Sequence, residues 1–184
     1  MPCTFEKTPI EGLVVIRPRV FPDDRGFFME TYKESEFKAN GINVSFKQDN
    51  HSCSSKGVLR GLHLQKGRHA QGKLIRVISG SVWDVAVDCR PDSPTFLKWH
   101  GIALSAENKT MFYIPPGFAH GFVTLEDETQ FLYKCTEEYN KESDSGVKWD
   151  DPRIAIEWPV KDVLVSEKDA HLPGVKDIDF RTLW

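Results

Sequence analysis

A histidine inside a strand is a place to look for proton chemistry, because imidazole titrates near neutral pH. His63 stands in such a place, in Gly57-Val-Leu-Arg-Gly-Leu-His-Leu-Gln-Lys-Gly-Arg-His-Ala-Gln-Gly-Lys73. This stretch reads as a short strand, a glycine-bounded polar loop and the start of a second strand. Alternation puts Leu59, Gly61, His63 and Gln65 on one face and Val58, Leu62 and Leu64 on the other. The His63 face carries small and polar groups, as the inside of a binding barrel would. A general base fits this position, and so does a hydrogen-bonded strand histidine with no chemistry.

His120, in Pro115-Pro-Gly-Phe-Ala-His-Gly-Phe122, is a second histidine beside a glycine at a strand start. Together the two resemble the paired motifs of cupins, small β-barrels of jelly-roll type. Metal-binding cupins carry H-x-H and a carboxylate in the first motif. Here Gln65 takes the place of the second ligand, and no Asp or Glu lies between His63 and the cation Lys73. The remaining ligands are too few for a tight zinc, iron or manganese site, so the expectation is a barrel without metal. In Phe131-Leu-Tyr-Lys-Cys135, Phe131, Tyr133 and Cys135 share a face, so Tyr133 points inward if Phe131 does. Tyr133 then reads as a proton donor or as a core aromatic with a satisfied hydroxyl. Ser166-Glu-Lys-Asp169 fits a helix capping box, and spacing alone favours that role for Asp169. The competing role is to orient His63 and stabilise its imidazolium.

Many short strands must position these groups. Residues 11–20 begin with a strand, 21–26 read as a turn and 27–32 as a strand. Residues 34–41 read as a short helix stopped by Gly41, 42–48 as a strand and 49–57 as a polar loop. Residues 73–78 and 82–87 read as a hairpin about Ser79-Gly-Ser81. Further strands are expected at 95–104, 110–114, 122–125 and 129–137, with a tight turn at 115–122 and a loop at 140–145. The tail carries a short helix at 167–170 and a loose end at 177–184. Frequent Gly/Pro turns and few helices argue for an all-β, antiparallel sandwich or barrel forming one domain over residues 1–184.

Composition bounds the function. The chain has 184 residues, 40% apolar and 28% charged, with formal net charge −3. Nothing in that charge calls for nucleic acid, so an anionic small molecule needs a local basic patch. The scattered Cys3, Cys53, Cys89 and Cys135 suit free thiols in a cytoplasmic protein. No signal core opens the chain, and no apolar window is long enough to span a membrane.

Several segments together resemble the dTDP-4-dehydrorhamnose 3,5-epimerase family. They include Asp24-Arg-Gly-Phe-Phe28, Gln48-Asp-Asn-His-Ser52, Val58-Leu-Arg-Gly-Leu-His63, Gln71-Gly-Lys-Leu74, Gly117-Phe-Ala-His-Gly-Phe122, Phe131-Leu-Tyr-Lys134 and Ile156-Glu-Trp-Pro159. The likeness runs from about residue 5 to about residue 170. It implies a metal-free cupin with a few short peripheral helices, working as a homodimer with exchanged N-terminal strands and no cofactor. The implied substrate is a dTDP-4-dehydro-6-deoxy sugar, inverted at C3 and C5. His63 would be the base, Asp169 its orienting partner, Lys73 the oxyanion donor and Tyr133 the acid. Arg60 and Lys168 would meet the diphosphate, Tyr139 would stack on thymine, and Gln48, Asn50 and Asp144 would touch the nucleotide. His120 would lie near the sugar, with Arg25 and Glu30 supplied by the partner subunit. Arg60 and His63 share a pocket only if Gly61 allows a bulge or Arg60 sits at the strand's start. Rival readings are a single-carbon epimerase or ketoisomerase, a cupin that only binds, and a metal-dependent cupin.

Overall fold

The computed structural model describes residues 3–183, and they form two facing sheets. The first contains, in spatial order, β1 (Cys3–Lys7), β2 (Val14–Pro18), β10 (Met111–Ile114), β7 (Lys73–Ser79), β12 (Thr129–Cys135) and β5 (Gln48–Ser54). The second runs β13 (Asp144–Gly146), β6 (Val58–Gln65), β11 (Phe118–Thr124), β8 (Ser81–Asp88) and β9 (Trp99–Ser105). Pairing is antiparallel throughout, except that β14 (Leu164–Val165) adds parallel to β6. A separate ribbon pairs β3 (Val20–Asp23) with β4 (Gly26–Met29).

Three apolar layers hold this sandwich. Between the sheets, Ile75, Phe112 and Phe131 of the first meet Val82, Ala86 and Phe122 of the second. The outer face of the first sheet packs on helix α1 (Glu34–Ala39), with Phe37 1% exposed. The outer face of the second packs on the chain after β13, through Val147, Ile154, Val175, Phe180 and Leu183. Strand β11 is buried at every residue because both its faces are covered, which is why it lacks a hydrophobic–polar alternation. No helix among the described residues is long and apolar enough to cross a membrane.

The antiparallel sandwich, the α1 helix with Gly41 at φ +86°, and the helix α2 (Glu167–Ala170) match the sequence reading. Five local expectations fail for physical reasons. Residues 42–47 form no strand; Ile42, Val44 and Phe46 are apolar because they pack under α1, and the ladder begins at Gln48. The polar segment expected to be a loop is therefore edge strand β5. Strands β7 and β8 are not a hairpin: each pairs within a different sheet, and the chain crosses over at Gly80 (φ +72°). The tight turn at 115–122 is shorter, since β11 starts at Phe118, so His120 lies within the strand. The expected loose end is packed: Phe180 is 6% exposed and meets Phe96 edge-on at 5.1 Å, while Leu183 O accepts from Gly67 N. Trp184 lies outside the described residues.

One irregularity shapes the interior. His120 pairs with His63 and Phe122 with Arg60, so two steps along β11 answer three along β6. The extra residue is a β-bulge next to Gly61, whose φ is +135°. A Cβ there would lie 2.5 Å from Gly121 Cα and 2.9 Å from His120 O, so only glycine fits.

If the tail is part of the core, Phe180→Ala lowers stability by about 3 kcal/mol, the usual cost of a large buried aromatic. The check is a denaturant midpoint that falls at unchanged slope. An unchanged midpoint would mean the tail only drapes over the sheet.

Candidate functional site

A cavity of about 310 Å³ opens between the two sheets. Its walls come from opposite sides of the sandwich: His63 and His120 from β6 and β11, Lys73 and Tyr133 from β7 and β12. The bulge turns Arg60 into the same cavity as His63. Alternation holds from Leu62 onward, with Leu62 and Leu64 packed under the tail, and breaks at Gly61.

His63 is held from behind. Its Nε2 lies 2.7 Å from Asp169 Oδ1, and Asp169 Oδ2 accepts the Gly61 N–H at 3.2 Å. Burial alone would raise the Asp169 carboxyl. The hydrogen bond and charge of His63, the Gly61 N–H and Lys168 outweigh burial and hold it below the usual carboxylate range. An ionised carboxylate only accepts, so Nε2 carries a proton, and whenever the ring is neutral Nδ1 is the bare nitrogen. The capping role favoured by spacing belongs to Ser166 alone, whose Oγ accepts from Asp169 N at 3.1 Å. The Asp169 carboxylate turns away from the helix end to His63, 106 residues distant in sequence.

The facing wall supplies a buried cation and a phenol. Lys73 is 7% exposed and makes no ion pair among the described residues. Burial pushes its amine below the ordinary lysine value, while Cys135, Asp144 and Asp84 pull it back up. Tyr133 packs on core Phe131, as alternation along β12 requires, and lines the cavity. Burial, with a smaller push from Cys135 and an opposing pull from Arg60, moves its hydroxyl up to about 12, so the phenol stays protonated at neutral pH.

The mouth is polar and basic. Arg60 donates Nε and Nη2 to Ser54 Oγ at 3.2 and 3.1 Å. Lys168 pairs with Asp144, which also accepts the Tyr139 hydroxyl at 3.1 Å. Gln48 sits behind the rim, accepting Tyr139 N at 2.7 Å and donating to Asn50 Oδ1 at 2.9 Å. Asn50 Nδ2 in turn reaches Cys135 Sγ at 3.5 Å. Tyr139 is 56% exposed at the entrance. Arg25 and Glu30 do not line the cavity of their own chain. Arg25 extends from the β3–β4 turn with its side chain 90% exposed and pairs with neighbouring Asp23.

Some of the site was not visible in the sequence. Gln65, at the position of a missing metal ligand, clamps the mouth: it donates to His69 O and Glu138 O and accepts Asn140 N. Phe122 and Phe131 stack at 4.0 Å as the apolar floor. Asp84 stands behind His120, with Nε2 to Oδ2 at 2.9 Å. No cluster of three or more His, Cys, Asp or Glu fit to hold a metal lies among the described residues.

The family profile described as dTDP-4-dehydrorhamnose 3,5-epimerase matches residues 7–177. The chain is 54% identical over 176 residues to the dTDP-4-dehydrorhamnose 3,5-epimerase of Methanothermobacter thermautotrophicus, covering 94% of this chain and 95% of that one. It is also 54% identical over 168 residues to the Escherichia coli enzyme of that name, covering 90% and 91%. Among solved structures, a dTDP-6-deoxy-D-glucose-3,5-epimerase of Legionella pneumophila, in complex with dTDP-4-keto-L-rhamnose, superposes with TM-score 0.95. It is 46% identical and covers 98% of this chain and 97% of that one. The two-sheet sandwich is the cupin-type fold of these epimerases. The chain belongs to the dTDP-4-dehydrorhamnose 3,5-epimerase family, isomerases of dTDP-rhamnose biosynthesis.

Proposed function

We propose that the inter-sheet cavity inverts C3 and C5 of dTDP-4-dehydro-6-deoxy-D-glucose, with His63 as base and Tyr133 as acid. The carrying observation is that His63, backed by Asp169, and Tyr133 enter one cavity from opposite sheets. A C–H beside the C4 ketone is acidic because its electrons pass to the ketone oxygen as an enolate. His63 Nδ1 takes the proton, and the imidazolium is stabilised by Asp169. Lys73, a buried ammonium, stabilises the oxyanion. Tyr133 delivers a proton to the opposite face, which inverts the centre, and both groups return to their starting states by exchange with water. Each carbon loses one proton and gains one, so no redox cofactor is needed.

The mouth supports a nucleoside diphosphate. Arg60 and Lys168 supply positive charge at the entrance, and Arg can be bidentate to phosphate. Tyr139 offers its ring to thymine, with Gln48, Asn50 and Asp144 as hydrogen-bonding groups. His120 borders the sugar. The working form is a homodimer in which the N-terminal ribbon crosses to the other subunit. The supporting features are the outward Arg25, and Phe27 and Phe28 exposed beside it at 57% and 65%. The enzyme works in the cytoplasm, in keeping with cysteines that are not joined in disulfides.

In D₂O, wild type incorporates deuterium at both C3 and C5. His63→Ala incorporates none at either, and Tyr133→Phe exchanges label while forming little L-lyxo product. Normal product formation by Tyr133→Phe would remove the phenol from the mechanism. Lys73→Met cuts kcat by about 10² to 10³, the cost of losing one oxyanion donor. The same change raises stability by about 1–2 kcal/mol at pH 7, since an unpaired buried ammonium is costly. The sign follows from its depressed pKa: the folded state disfavours the charged form, so the penalty is full below the folded pKa and fades as pH rises toward the unfolded value. A Tm gain that persists undiminished to pH 11 would contradict it. Strand exchange is tested by mixing inactive Arg25→Ala and His63→Ala dimers under subunit exchange. Roughly a quarter of wild-type activity returns if each site draws on both chains, since half the dimers are hybrids with one intact site. No recovery places Arg25 outside the partner's site.

A further inference from the structure

The cavity wall holds a second histidine–carboxylate pair that the mechanism above leaves without a task. His120 is 6% and Asp84 0% exposed, and Nε2 lies 2.9 Å from Asp84 Oδ2. His120 sits directly opposite His63 across the β6–β11 pairing and borders the same cavity as Lys73. Asp84, on β8, is behind it and does not border the cavity. The other carboxylate oxygen, Oδ1, is buried with no hydrogen-bond partner. The His120 ring is stacked on Phe131 at 6.2 Å and 17°, which fixes its plane.

We propose that Asp84 is a positioning residue that locks His120 into the tautomer with a bare Nδ1, and so decides how the sugar ring is oriented over His63. An ionised carboxylate only accepts, so it keeps the proton on Nε2. Nε2 is turned to the wall, and Nδ1 is the nitrogen left for an occupant. A bare Nδ1 accepts a hydrogen bond; it takes a sugar hydroxyl and repels the lone pairs of a ketone. Lys73 is the opposite, an ammonium that only donates, so it takes the ketone. Two buried groups of opposite polarity therefore sort carbonyl from hydroxyl and leave one edge of the ring facing the base. A flipped ring would face Lys73 with no ketone oxygen and oppose ketone to Nδ1, and buried mismatches of this kind are the most discriminating available to a site. The negative charge of Asp84 also reaches Lys73 and helps keep that amine protonated.

The inference rests on the cavity being the site of a ketosugar, and wild-type turnover of dTDP-4-dehydro-6-deoxyglucose is the separate control for that reading. With the control passed, Asp84→Asn and Asp84→Ala are compared with wild type for turnover and for binding of dTDP, which lacks the sugar. Expected is a fall in kcat/KM of about 100-fold or more, carried mainly by kcat, at an unchanged Kd for dTDP. Independently, ¹⁵N NMR of wild-type His120 is expected to show a protonated Nε2 and a bare Nδ1, a measurement that stands even if neither variant folds. Wild-type protonation at Nδ1, unaltered turnover in folded variants, or dTDP affinity weakened by the same factor as kcat/KM would each overturn the proposal.

Discussion

The interior depends on one mismatch in strand pairing. Three residue steps of β6 lie against two of β11, and the surplus is taken up where Gly61 faces Gly121. In a regular ladder, residues three apart point to opposite faces. With the bulge, Arg60 at the mouth and His63 in the interior open into one cavity, although they are three positions apart. The cost is steric. A Cβ on Gly121 would come within 2.8 Å of Arg60 O and 3.0 Å of the Leu62 side chain. Glycine on both strands is therefore what allows the backbones to close on each other. The same closeness carries the Gly61 N–H to Asp169, so the bulge also helps fix the carboxylate that holds His63.

The site concentrates buried charge, which a stable fold avoids. Asp169 is compensated: it accepts from a histidine and a backbone N–H, and its carboxyl is held low. Asp88, at the far end of β8, shows what full compensation looks like. Arg90, Ser93 and Thr95 all donate to it, and it serves a turn. Lys73 and Asp84 are different. Lys73 has no ion pair among the described residues, and Asp84 leaves one oxygen without a partner. Polar groups left short in a buried place destabilise the free protein. An occupant that brings a ketone oxygen to Lys73 recovers part of that cost on binding, and an enolate recovers more because it carries charge. That difference between ground and transition state is what raises a rate.

How much of this the sequence discloses depends on the range of the interaction involved. Tyr133 was legible because β12 has partners on both sides and alternates regularly between the core and the outer face. The α1 helix was legible because its stop signal is one glycine away. That Arg60 and His63 share a cavity was legible only as a condition, a bulge at Gly61, because a bulge is a property of two paired strands and the sequence shows one at a time. Residues 42–47 looked like a strand because apolar alternation marks burial, and burial there is under a helix. Ser79-Gly-Ser81 signals a reversal but carries no information on which sheet receives the chain. The spacing of Ser166 and Asp169 is a true capping signal, yet it accounts only for the serine. The partner that claims the carboxylate is 106 residues away, and only the fold brings it close.

The two histidines make the same point about chemistry. Each has Nε2 against a carboxylate oxygen and each borders one cavity, so their local bonding is alike. Residue type and partner cannot tell a base from a positioning group here. Their surroundings can. His63 has a side chain 35% exposed, open toward the cavity and its solvent, so a proton it accepts has a way out. The His120 side chain is 7% exposed, stacked against Phe131 and backed by a carboxylate whose other oxygen is buried. A proton taken there would have no comparable exit, and the ring is better suited to holding a fixed polarity than to cycling through two. Turnover needs a base that is reset each cycle, so on the mechanism proposed above the more open His63 suits proton transfer and the buried His120 suits orientation.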